Sequence, residues 1–253
     1  MFKKNIKPIL IIVVLITMVF SNACKEDVVK PQIQTDSLVD IDGNVYKTVK
    51  IGKQWWMAEN LKVKKYRNGN SILEVPYNSS IIWDSTLTKG AWCLYFGAES
   101  GTGLLYNWYA VSDTSNIAPD GWHVATDNDW KELEKYLGVN SNEIDLIGWR
   151  GSNQGNKLKP EQNEGWYKSN NINQIWGNNE SGFTALAGSC RLYNGIWGDP
   201  GLFFTAFWWT STEHTDSLNK AWFRHLDYSK ASIFRYYGHK SSGYSIRCVK
   251  DSE

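Results

Sequence analysis

Apolar and polar positions change their spacing several times along this chain. In "LVDIDGNVYKTVKIGKQWWMAENL", residues 38–61, the β-formers Val45, Val49 and Ile51 stand between two turn signals, Asp42-Gly43 and Gly52-Lys53. That pattern predicts short strands joined by tight turns. Residues 62–89 are polar, contain Asn68-Gly69 and Pro76, and read as a long irregular segment. "AWCLYFG", residues 91–97, is a short β-like run. "GLLYNWYAV", residues 103–111, is apolar and aromatic, and too short for periodicity to separate a strand from a buried helix. The period then becomes helical in "GWHVATDNDWKELEKYLG": Trp130, Leu133 and Leu137 share one face at i, i+3 and i+7. Thr126 is the expected N-cap, Asp129 occupies the acidic capping position, and Gly138 is a natural stop. Asp127, Asn128 and Asp129 have the composition of a calcium loop, but acids at a helix start account for the whole pattern. A second helix is expected around residues 141–147.

Residues 151–181 are rich in Asn, Gly and Gln, the composition of a long loop region on a scaffold. The runs "FTALAGSCRL", "FFTAFWWTST", "AWFRHLDYS", "ASIFRYY" and "GYSIRCV" then follow at the spacing of successive antiparallel strands. In the last of them, Tyr244, Ile246 and Cys248 alternate with Ser245, Arg247 and Val249, so the two sets face opposite sides. Strands at both ends with helices between predict an α+β domain over residues 37–251. It would have short antiparallel strands, one or two helices, long loops, and its N- and C-terminal strands paired.

The first 36 residues follow a different logic. Lys3, Lys4 and Lys7 precede "ILIIVVLITMVF", an apolar run of about 12 residues that suits a signal peptide. A membrane span needs about 20. Ala23-Cys24 resembles a bacterial lipoprotein cleavage site, in which Cys24 becomes the lipidated first residue, although Ser21 stands where that pattern usually has Leu. Lys25, Glu26 and Asp27 resemble the signal that sends Bacteroidetes lipoproteins to the outer face of the outer membrane. The expectation is a signal peptide at 1–23, a tether at 24–36, and a surface-exposed outer-membrane lipoprotein whose membrane partner is reached through lipid on Cys24.

Composition narrows the partners. With 27 Lys+Arg against 26 Asp+Glu, the net charge of +1 provides no strong field for nucleic acid. All 14 Trp lie after the signal, which suits a Trp-rich core and also stacking on sugar rings or at interfaces. Cys93, Cys190 and Cys248 remain after Cys24. In an oxidising compartment one disulfide is expected, and all three pairings are open. The four His are scattered and no CxxC or HxxxH occurs, so no metal site and no cofactor are indicated.

Several motifs in order carry a family resemblance: "GLLYNWYAV", "APDGWHVATDNDWKELEKYLG", "GNKLK", "GFTALAGSCR", "FWWTSTE", "AWFR" and "GYSIRCVKD". Together they resemble the Fibrobacter succinogenes major paralogous domain of Bacteroidetes and Fibrobacter surface lipoproteins, over residues 39–251. That resemblance implies a C-type-lectin-like fold, similar to formylglycine-generating-enzyme relatives, which share a helix after "P-T-x-x-E/D-W" and a last strand ending "R-C". Here those features fall at Thr126 to Trp130 and at Arg247-Cys248. Ala118 stands where the family usually has Cys, and Cys190 where it usually has an aromatic residue. The resemblance therefore implies a displaced bridge, with Cys190–Cys248 the first candidate.

Chemistry points to recognition. No Ser-His-Asp or Cys-His constellation and no phosphate loop can be assembled. Glu161, Glu164, Glu180 and Asp199 could supply a glycosidase pair, but acids this common carry no weight without separations. The cysteines and metal site of the formylglycine-generating relatives cannot be located, and lectin-type Glu-Pro-Asn and Trp-Asn-Asp motifs are absent. In some relatives of this fold the segment before the last strand is the variable binding face, which here is 222–244. Its expected contacts are Arg224, His225, Tyr228, Phe234, Arg235, Tyr236, Tyr237 and His239. The expected function is a non-catalytic module binding an extracellular protein or glycan. The alternatives are an accessory protein or hydrolase in polysaccharide use, and an envelope protein without a ligand.

Overall fold

The computed structural model describes residues 32–79, 83–95, 102–161, 164–168, 177–198 and 203–252. The expected signal peptide, the lipidation site Cys24 and most of the tether lie outside the described residues. The folded unit starts at Ile33, and the last residues assigned to the tether already belong to a strand.

Three sheets organise the unit. The first takes β1 (Thr35–Val39), β2 (Val45–Ile51) and β3 (Gln54–Met57) from the N-terminal end, β7 (Trp122–Val124), and β12 (Cys248–Lys250) from the C-terminal end, in the order β1-β2-β3-β12-β7. The tight turns fall where the sequence placed them, and Gly43 has φ 82°, a left-handed value that glycine adopts without strain. The second sheet has the order β8-β11-β10-β9, from β8 (Gly148–Arg150), β11 (Ile233–His239), β10 (Lys220–Asp227) and β9 (Thr205–Glu213). The third joins β4 (Leu73–Glu74), β5 (Ala91–Cys93) and β6 (Leu105–Tyr106). Pairing of the two ends is observed: Val249 of β12 lies opposite Trp56 of β3. The result is an α+β domain.

The segment 103–111 resolves into both alternatives, β6 followed by the one-turn helix α1 (Trp108–Val111). Helix α2 (Asp127–Leu137) begins at Thr126 with a full capping box to Asp129, and ends at Gly138 with φ 104°. The second helix expected at 141–147 is absent. Residues 141–145 form a turn instead, tied to β8 by Glu143, which accepts from the Gly151 N–H, and by the Ile144 carbonyl, which accepts from Arg150. A short helix α3 (Gln154–Leu158) lies inside the region expected to be loop. "FTALAGSCRL" is not a strand but carries isolated bridges at Ser189 and Arg191. Thr184 (φ 53°) and Ser189 (φ 51°) interrupt the extended backbone.

Among the described residues three apolar clusters fill the unit, a smaller one around Trp83, Cys93 and Tyr95 and two larger aromatic-rich cores that the C-terminal segment separates. Tyr244, Ile246 and Cys248 enter the core that holds Trp92, Tyr106, Trp108 and Trp209. Val249 enters the other, with Trp56, Trp130, Trp208 and Ile233. The expected alternation therefore divides one core from another rather than core from solvent. The backbone is engaged along its length: Tyr106 N–H donates to Tyr244, Trp209 to Ser245, Leu61 to Ile246 and Ala125 to Arg247. Arg247 is buried, and among the described residues no carboxylate forms an ion pair with it within 4 Å. It donates to Asn60 Oδ1 (2.6 Å) and to the carbonyls of Met57, Phe183 and Thr184. Burial lowers it to about 9.

Candidate functional site

One cross-strand row of rings spans the second sheet. Trp149 of β8 pairs with Phe234 of β11, Phe234 with His225 of β10, and His225 with Phe207 of β9. Directly opposed residues project to the same face, so the four rings form a line perpendicular to the strands. Ring centroids are 5.1 Å apart for Trp149–Phe234, 5.7 Å for Phe234–His225 and 4.3 Å for the stacked His225–Phe207 pair. Tyr236, in register with Phe223, begins the adjoining row, and its ring lies 5.8 Å from Phe234. Trp149 is 39% exposed and Tyr236 36%, while Phe207, His225 and Phe234 are half-buried. Burial pushes the His225 imidazole down to about 4, so the ring is neutral near pH 7 and the row carries no charge.

The opposite face of the same strands is ionic and closed. Arg224 and Arg235 are directly paired across β10 and β11, an arrangement that repels unless an anion intervenes. Asp127, in the first turn of α2, supplies it. Its Oδ1 accepts from Arg224 Nη1 (2.7 Å) and Arg235 Nε (2.9 Å), and its Oδ2 from Arg235 Nη2 (2.8 Å). Burial alone would raise the Asp127 carboxyl, but the Arg235 hydrogen bonds and the Arg224 and Arg235 charges outweigh it. They hold it well below the usual carboxylate range. Glu134, one turn or more along α2, accepts Arg150 at both oxygens (2.7 and 2.8 Å) and Arg224 Nε at 2.6 Å. The Arg235 guanidinium also lies 3.6 Å from the Trp222 ring centre.

The expected contact residues thus separate. His225, Phe234 and Tyr236 share the outer face. Arg224 and Arg235 are corrected: both are buried, because α2 covers their side of the sheet and its acids hold them there. Tyr237 packs on His214 (4.1 Å) and Trp222 (5.5 Å). His239 packs on Tyr193 at 5.1 Å, and Tyr228, beyond the end of β10, meets Phe204 and Tyr167. Cys190–Cys248 is also corrected. Cys93, Cys190 and Cys248 are all free and buried, Cys190 packing against Gly198 while Cys248 sits on β12 opposite Val124. Of the four acids weighed for hydrolysis, Glu161, Glu164 and Glu180 are exposed and Asp199 lies outside the described residues.

Trp149 and Phe207 were missed by the sequence reading. Trp149 follows the exposed Leu146 and Ile147, an apolar cluster between polar neighbours that was a usable signal. Glu134 had one too: it stands at i+4 from Trp130, inside the apolar stripe, where an acid needs a partner. His123 forms a second polar constellation, its Nδ1 2.6 Å from Asp251 and its Nε2 3.0 Å from Asp129, whose Oδ2 also accepts the Thr126 hydroxyl. Among the described residues no cluster of His, Cys, Asp or Glu could hold a metal ion.

Comparison with curated proteins and with solved structures returned no significant match in either case. The family model described as the Fibrobacter succinogenes major domain matches residues 49–250, from β2 to β12, so it takes in the three-sheet core and the aromatic row. The chain belongs to the Fibrobacter succinogenes major domain family.

Proposed function

We propose that this protein is a non-catalytic recognition module whose aromatic row binds glycan. The observation that carries the reading is the line Trp149–Phe234–His225–Phe207, which crosses four strands, is exposed at Trp149 and at the adjoining Tyr236, and lies on a sheet whose other face is locked by ion pairs. The exposed rings of Trp149 and Tyr236, flanking Phe234, suit stacking on the apolar C–H face of a pyranose, whereas Phe207 is stacked between His225 and Tyr244 and supports the row from within. The rigid sheet limits the ordering cost of binding. A C-type-lectin-like arrangement is part of the proposal, supported by the N- and C-terminal strands sharing one sheet and by the helix after Thr126. So is display on the outer membrane through a lipidated Cys24. Among the described residues no helix is long and apolar enough to cross a membrane.

A glycan array followed by calorimetry tests this reading. Trp149→Ala and Phe234→Ala should each weaken binding by about 1–3 kcal/mol, the range for aromatic anchors. Array binding left intact by both substitutions, or no array binding at all, would refute it.

A further inference from the structure

Another cleft lies along the third sheet and shares no residue with the aromatic row. Its volume is about 1000 Å³, at the upper end of the ~300–1,000 Å³ range of ligand sites. Lys64, Lys65, Lys89, Trp92 and Tyr109 line it, with Ser71, Thr88 and Ser112 supplying hydroxyls. Lys65 is paired with Asp42 at 3.2 Å, whereas Lys64 and Lys89 have no ion-pair partner among the described residues. The lining acids are Glu74 and Asp113. Trp92 is only 2% exposed. The Lys64 ammonium stands 4.9 Å from its ring, and its indole Nε1 is a buried donor without an acceptor.

We propose that this cleft binds an acidic oligosaccharide, its carboxylate or sulfate held by Lys64 and Lys89. The hydroxyls and the two carboxylates offer both donors and acceptors, which a polyhydroxylated ligand needs and a simple anion does not. The unpaired ammoniums select an acidic over a neutral chain. The site is independent of the aromatic row, so either can fail alone.

The test is calorimetric titration of the full chain, in detergent, with oligogalacturonate, a chondroitin sulfate oligomer and neutral cello-oligosaccharide. The expected result is that an acidic oligomer binds, weakens as salt rises, and loses about tenfold or more in affinity in Lys64→Ala/Lys89→Ala. Both lysines are exposed, so that variant should keep its melting temperature, and Trp149→Ala/Tyr236→Ala should leave acidic binding unchanged. Failure of both acidic oligomers to bind would overturn the proposal. So would equal binding of the neutral oligomer in this cleft, or an affinity insensitive to the lysine pair. Loss of acidic binding in the Trp149/Tyr236 variant alone would also overturn it and assign the ligand to the aromatic row.

Discussion

Arg224 donates from Nε to Glu134 at 2.6 Å, and this contact bolts the second sheet to helix α2. Glu134 is the sole carboxylate partner of Arg150 and one of two for Arg224 among the described residues, and all three side chains are almost fully buried. Replacing Glu134 by Leu leaves Arg150 without a counter-charge, whereas replacing Arg150 by Leu leaves Glu134 still paired to Arg224. Removing one partner of a buried pair costs about 3–5 kcal/mol. Glu134→Leu should show that full loss in urea unfolding, and Arg150→Leu a smaller one. Equal losses would show that Arg224 contributes nothing to holding Glu134.

Acid should weaken the same network through Asp127. Its folded carboxyl is held below the unfolded value of about 3.9, so its stabilisation is complete above that pH and is lost as pH falls through the folded value. Other carboxylates titrate in any variant, so the measurement is a difference. The stability gap between wild type and Asp127→Asn should be constant at neutral pH and narrow in acid. A gap that widened as pH fell would contradict the geometry.

These inward charges mark where sequence reading reached its limit. Arg224 and His225 were both expected on one binding face, although neighbours along a strand project to opposite sides. Alternation does not say which face is covered. Charged residues are seldom buried unless paired, which favoured an exposed Arg224. The acid that pairs it, Asp127, is 97 residues away in the chain, beyond any local pattern. The capping box at Thr126, the Gly138 stop and the turns of the first hairpins were legible because their partners lie within four residues. The pairing of the ends followed from strand-like runs at both termini. The turn at 141–145 was not legible, since it is held by bonds to β8 rather than by its own helical period.

His123 should give the opposite pH dependence. Its bond to Asp129, opposed by partial burial and reinforced by Asp251, raises the imidazole above its ordinary value of about 6.5. A raised folded value means stabilisation that is fully present below about 6.5 and lost as pH rises through the folded value. The advantage of wild type over His123→Gln should therefore shrink on going alkaline. An NMR titration of the imidazole should find a midpoint above that of a model histidine. A midpoint at or below the model value would show that neither carboxylate engages the ring in solution.

The cysteines provide a count that needs no ligand. Burial pushes the Cys93 thiol up to about 11 and Cys190 to about 12, and it raises Cys248 as well, so none offers thiolate to a reagent near neutral pH. With Cys24 replaced by Ser, denatured protein should titrate three thiols, the number of free cysteines in the fold. The native protein should react at the rate of global unfolding, because each sulfur lies inside a core. A single thiol on denaturation would mean that two of the three are bridged. The arrangement then argues which pair to doubt first. Cys190 is wedged against Gly198, where an added Cβ would lie 2.3 Å from its sulfur, so a bridge from Cys190 requires the 190–198 turn to move.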